Sequence, residues 1–100
     1  MGNPLLTIEQ IKQDAETVGE EYGVKRIYLF GSYAKNAATV QSDIDLLIEK
    51  GTPLSLLGLS GMRIIFEDYL KVPVYLLTTD GTESEFHQEI AGTEVLLYEQ

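Results

Sequence analysis

Two apolar runs, VKRIYLF (Val24–Phe30) and DIDLLIE (Asp43–Glu49), do most to limit what this chain can fold into. Both read as strands, short and rich in aliphatic and aromatic residues. The second breaks the pattern, because aspartates stand at positions 43 and 45, where a buried strand would take valine. On a strand, residues i and i+2 face the same side. Asp43 and Asp45 therefore point together, with Cα atoms roughly 7 Å apart. Ile44, Leu46 and Ile48 face the other way, toward a core. Two like charges on one face need a counter-charge. A divalent cation is the simplest, and oxygen ligands suit Mg²⁺, which takes one or two carboxylates together with substrate phosphates. Glu49 shares the parity of Asp45 but lies about 13 Å farther along, and reads as an ordinary charge at the strand end.

The first run ends in a Gly-Ser pair, Gly31 and Ser32. Glycine lets the backbone turn sharply and lets a ligand approach closely. The residues that follow, SYAKN, read as one or two turns of helix. Amides at a helix start are unpaired donors with a positive partial charge, which suits phosphate. Ser32 adds a hydroxyl. Lys35, close by in sequence, either steers phosphates or is simply solvated. Each motif alone has a bland reading, a turn for Gly-Ser and a cap for Asp-x-Asp. Together, each at a strand boundary, they complement one another: one end suits phosphates, the other a metal that phosphates need.

The rest of the chain alternates helix and strand. Thr7 and Gln10 form a capping box, and Ile8, Ile11, Ala15 and Val18 keep helical spacing up to a stop at Gly23. A second long helix is predicted over Leu54–Leu70, although Gly58 and Gly61 weaken its first half. Val72–Thr78 reads as a third strand, Glu83–Ile90 as a short helix and Glu94–Glu99 as a last strand. This order predicts an α+β fold, a mixed sheet of three to four strands flanked by helices. Tyr28, Tyr75 and Tyr98 fit strand packing, whereas Tyr33 either packs or lines a nucleotide pocket. Leucines 54, 56, 57 and 59 are dense for a surface helix, and form either core or an apolar patch for a partner. His87 has no ligand-spaced neighbours and reads as a surface or half-buried residue.

Composition narrows the function. The chain has 100 residues and a net charge of −9, and is expected to form one domain over residues 1–100. Its acidity repels phosphate backbones, so direct nucleic-acid binding is not expected. With no cysteine, thiolate metal sites are excluded. No apolar run is long enough to span a membrane, and the N-terminus does not resemble a secretory signal. A cytoplasmic location fits.

The stretch GSYAKNAATVQSDIDLLI closely resembles the signature of the minimal nucleotidyltransferases of the DNA polymerase β-like superfamily. Their pattern is Gly-Ser, ten residues, then Asp-x-Asp, and here the ten residues Tyr33–Ser42 separate the two motifs. Weaker resemblance extends over residues 8 to 99. It implies binding of a nucleoside triphosphate, ATP, with Mg²⁺, and transfer of the nucleotidyl group to a hydroxyl. Gly31 and Ser32 would hold the β,γ-phosphates, while Asp43 and Asp45 would ligate the metal and act in catalysis. It also implies a partner, a HEPN-domain ribonuclease toxin modified with AMP on a tyrosine, with which the chain could form an oligomer. An antibiotic-modifying enzyme would need a further substrate-binding region.

One departure stands out. Active members carry a third carboxylate on the third strand, in a pattern like VDLV. The corresponding stretch here is KVPVYLLT, and the alignment puts the aspartate position on Pro73 or Val74. Asp68 and Asp80 are the nearest carboxylates, and Asp80 lies roughly 20 Å or more along an extended chain from Pro73. The alternative reading is therefore a catalytically degenerate module that neutralises its partner by binding.

Overall fold

The computed structural model describes residues 6–39, 42–51, 55–78 and 94–100. Helix α1 (Ile8–Tyr22) opens on the capping box: the Thr7 hydroxyl accepts from Gln10 N–H (3.1 Å), and Gln10 Oε1 accepts from Thr7 N–H (2.8 Å). It closes at Gly23, in the left-handed region at φ 69°. Strand β1 (Arg26–Phe30) then runs into a single helical turn, α2 (Gly31–Ala34). Strand β2 (Ile44–Glu49) leads to helix α3 (Leu56–Leu70), strand β3 (Val74–Thr78) and finally strand β4 (Val95–Glu99).

The four strands form one mixed sheet in the order β3-β2-β1-β4. β1 pairs antiparallel with β2 and with β4, while β2 and β3 are parallel. A parallel pair needs a crossover, and α3 supplies it. The alternation read from the sequence decides which face is covered. Ile27, Leu29, Ile44, Leu46, Ile48 and Val74 are buried on one side, against Ile11, Ala15 and Val18 of α1 and Met62, Phe66 and Leu70 of α3. Burying residues of this kind contributes roughly 1.5–3 kcal/mol each. A one-residue slip of β2 would put Asp45 in that core.

The expected α+β architecture is what forms, with shorter elements. Val24 is buried, but its N–H is directed to the Gly19 carbonyl (3.3 Å) as part of the helix cap, so the ladder starts later than the apolar run. Ser55 caps α3 by accepting from Gly58 N–H (3.1 Å), and the helix runs unbroken through Gly58 and Gly61. Strand β3 starts at Val74 rather than Val72, because Lys71 ends α3 in the left-handed region (φ 61°) and the chain must still turn through Pro73. The glutamate Oε2 of Glu67 accepts from Val74 N–H (2.9 Å) and fixes that start. The predicted helix over Glu83–Ile90, with His87 and Asp80, lies outside the described residues, as does Leu54.

Candidate active site

The face of the sheet opposite the core carries the aspartates. Asp45 sits on β2 with Phe30 of β1 opposite it on one side and Tyr75 of β3 on the other. Asp43 directly precedes β2 and is exposed, while Asp45 is half-buried. The loop before them is closed on itself: Ser42 N–H donates to the Thr39 carbonyl (3.0 Å), and the Ser42 hydroxyl accepts from Thr39 N–H (2.8 Å). Ile44 N–H donates to the Pro73 carbonyl (3.0 Å), tying the entry of β2 to β3. Ser42 thus helps to position Asp43, a role that sequence reasoning did not give it.

Gly31 has φ 75°, in the left-handed region that glycine adopts without steric cost. The second reason for glycine lies across the sheet. A Cβ at position 31 would run into the Asp45 carboxylate. The strand-to-helix turn and the second aspartate therefore pack directly on each other, and the first half of the Gly-Ser motif is matched to Asp45 as well as to any phosphate. Ser32 follows, half-buried, at the start of α2, where no side chain caps the helix. Lys35 closes the turn, its N–H donating to the Gly31 carbonyl (3.1 Å), and its side chain is exposed. Tyr33, left open between packing and pocket lining, is buried in the core cluster.

The described residues offer the aspartates no side-chain counter-charge. Among the described residues, neither Asp43 nor Asp45 forms an ion pair. Burial pushes the Asp45 carboxyl above the usual carboxylate range, and the charge of Asp43 adds to the rise. Two oxygen-donor side chains, close to each other and lacking a positive partner, fit a divalent cation that completes its shell from phosphates and water. No third His, Cys, Asp or Glu joins them among the described residues.

The register shows which β3 residues lie beside the aspartates. Val74 is opposite Ile44, and its side chain is buried in the core, so it cannot face the aspartates. Pro73 precedes the strand. The β3 residue opposite Asp45 is Tyr75, and neighbours in register point to the same face. The run Val74-Tyr75-Leu76-Leu77 can be laid on the pattern VDLV with tyrosine at the aspartate, beside the alignment that puts Pro73 there. Tyr75 does not pack as expected: it is 55% exposed. Asp68 offers no substitute, since it lies on α3 and pairs with Lys71 (3.3 Å).

The sequence pattern of the nucleotidyltransferase domain family matches residues 11–99, and the chain belongs to that family. A Methanocaldococcus jannaschii protein provisionally named protein adenylyltransferase MJ0126 is 37% identical over 78 residues, covering 78% of this chain and 80% of the relative. Among solved structures, a chain of a toxin-antitoxin with AMP-PNP superposes with a TM-score of 0.78 at 19% identity, covering 89% of this chain and 73% of that one. A second, from a tri-AMPylated Shewanella oneidensis HEPN toxin in complex with its MNT antitoxin, superposes with a TM-score of 0.73 at 17% identity, covering 94% and 74%. At these identities the structural likeness establishes the fold.

Proposed function

We propose that this chain binds ATP with a divalent cation, Mg²⁺, and transfers AMP to a hydroxyl, a tyrosine, of a HEPN-type toxin partner. The observation that carries this reading is the packing of Gly31 against the Asp45 carboxylate, beside an aspartate pair that no basic side chain neutralises among the described residues. Asp43 and Asp45 would hold the metal, which supplies charge neutralisation at the reacting phosphate and at the leaving pyrophosphate. Gly31 and Ser32 would seat the β,γ-phosphates, with Lys35 exposed beside them. The relative named as an adenylyltransferase and the structural neighbours with AMP-PNP and with an AMPylated HEPN toxin support the donor, the acceptor and the partner.

The test is to mix the purified chain with the HEPN protein encoded beside it, ATP and Mg²⁺, and to look for an AMP adduct by mass spectrometry. An adduct that vanishes with Asp45→Ala is the expected result. No adduct from folded wild-type protein would sink the transferase reading.

A second reading has its own observation. Tyr75 replaces the third carboxylate, and Leu56 and Leu57 at the start of α3 are 80% and 85% exposed, an apolar surface suited to a protein partner. A module that neutralises by binding alone keeps its effect when Asp43 and Asp45 are both replaced. A transferase does not.

A further inference from the structure

Tyr75 is a described side chain at this site that neither the core nor the metal-binding role accounts for. It lies on β3, an edge strand of the sheet. It is directly opposite Asp45 in a parallel ladder, so the two Cα atoms are about 5 Å apart and both side chains rise from the same face. Its ring is largely exposed, and its hydroxyl has no hydrogen-bond partner among the described residues. A phenol is longer than an aspartate side chain. It reaches farther from the sheet than an aspartate does, so a nucleotide held at the proposed site would lie within its range. The reaction needs a hydroxyl held against the α-phosphorus, and reacting atoms must approach to about 3–3.5 Å.

From this juxtaposition we infer that Tyr75 is an internal nucleotidyl acceptor, so that the chain transfers AMP to itself. The inference rests on the proposed nucleotide site. In the step, the Tyr75 phenolic oxygen forms a bond to the α-phosphorus of ATP. The bond from that phosphorus to the α,β-bridging oxygen breaks, pyrophosphate leaves, and the phenolic proton passes to water. The product is a phosphodiester between Tyr75 and adenosine. Tyr75 offers a single hydroxyl, so self-modification stops at one AMP per chain. Because the acceptor is built into the same fold, its rate does not depend on encounter between chains.

The experiment has two arms, both on the full chain without partner. In the first, the protein is incubated with ATP and Mg²⁺, and the intact mass and its peptides are followed. The expected result is a single AMP on Tyr75, formed at a rate that dilution does not change and lost in both Tyr75→Phe and Asp45→Asn. The second arm reads proximity without turnover. Terbium(III) alone is titrated into wild type and Tyr75→Phe, and its tyrosine-sensitised emission is recorded. Loss of most of the emission in Tyr75→Phe, with terbium still bound, places the phenol beside the aspartate pair and reports an intact variant. An adduct on another tyrosine, or emission unchanged by the substitution, overturns the inference. So does an unmodified Tyr75 in a chain that labels its HEPN partner, and that outcome leaves the proposed function standing. Failure to bind ATP at all overturns both.

Discussion

The two ends of the central strands treat their carboxylates in opposite ways. At one end, Arg26 of β1 stands between its register neighbours Glu49 of β2 and Glu99 of β4, and donates to both, at 2.8 and 2.6 Å. Lys25 adds a longer pair to Glu49 (3.7 Å). The two carboxylates hold the guanidinium proton still more tightly than usual. At the other end, Asp45 is flanked in register by Phe30 and Tyr75, with Asp43 two residues away and no cation among the described residues. A chain with a net charge of −9 has few cations to distribute. It places two, Arg26 and Lys25, where the carboxylates only close the sheet. Where they could serve chemistry, their charge is left for something that binds.

The sharpest way to break this comparison is to neutralise one carboxylate at each end. Asp45→Asn, or Asp43→Asn, is expected to lower AMP transfer to the partner by about three orders of magnitude, since a metal contributes several kcal/mol to charge stabilisation at about 1.4 kcal/mol per tenfold. Glu49→Gln, at the paired end, should leave the transfer rate nearly unchanged. Equal losses at the two ends would mean that the aspartates act through the fold.

The next effect sharpens the contrast between β2 and β3. Tyr75→Asp adds a carboxylate at the position opposite Asp45. It should raise transfer to the partner by about 10²-fold, the lower end of what general-base assistance supplies, and end self-modification. A rate that stays at the wild-type level would show that this position is not where the missing group belongs. Gly31→Ala comes third. A non-glycine residue in the left-handed region costs on the order of 1–3 kcal/mol, and here the added methyl also meets the Asp45 carboxylate. In urea denaturation Gly31→Ala should lose more stability than the backbone alone accounts for, and Gly31→Ala with Asp45→Ala should recover the excess. A fully additive pair would place the carboxylate elsewhere.

Much of this geometry was readable beforehand, for reasons that are local. The Thr7–Gln10 box and the stop at Gly23 depend on residues a few positions apart, and each forms as its pattern implies; Asp45 likewise lies between buried Ile44 and Leu46, as alternation along a strand requires. What escaped depends on register between strands distant in sequence. The sequence put the missing carboxylate at Pro73 or Val74, but Val74 is buried, and the residue that lies opposite Asp45 is Tyr75. Arg26 lies inside an apolar run, and what it does there appears only when β4 places Glu99 beside it. Gly31 read as a turn for phosphates, and its contact with Asp45 is a tertiary fact that spacing alone does not contain.

The smallest effect tests the electrostatic half of the comparison. Asp45 is held above the usual carboxylate range first by burial and then by the charge of Asp43. In the unfolded chain it reverts to an ordinary aspartate, near 3.9 or so, about the model-peptide value. Between the two values the folded protein binds a proton that the unfolded chain does not, so stability rises as pH falls through the folded value. Above it, the charged carboxylate is a constant cost. Asp45→Asn removes that cost, and the variant should be the more stable of the two at neutral pH. The gap should close as the pH is lowered below the ordinary aspartate range, where wild type is protonated as well. Mg²⁺ at neutral pH should narrow the gap from the other side, by stabilising wild type and not the variant. Thermal midpoints of the pair across this range check the sign. A gap that widens toward acid would mean that Asp45 has a cationic partner and that the two ends of the sheet are alike.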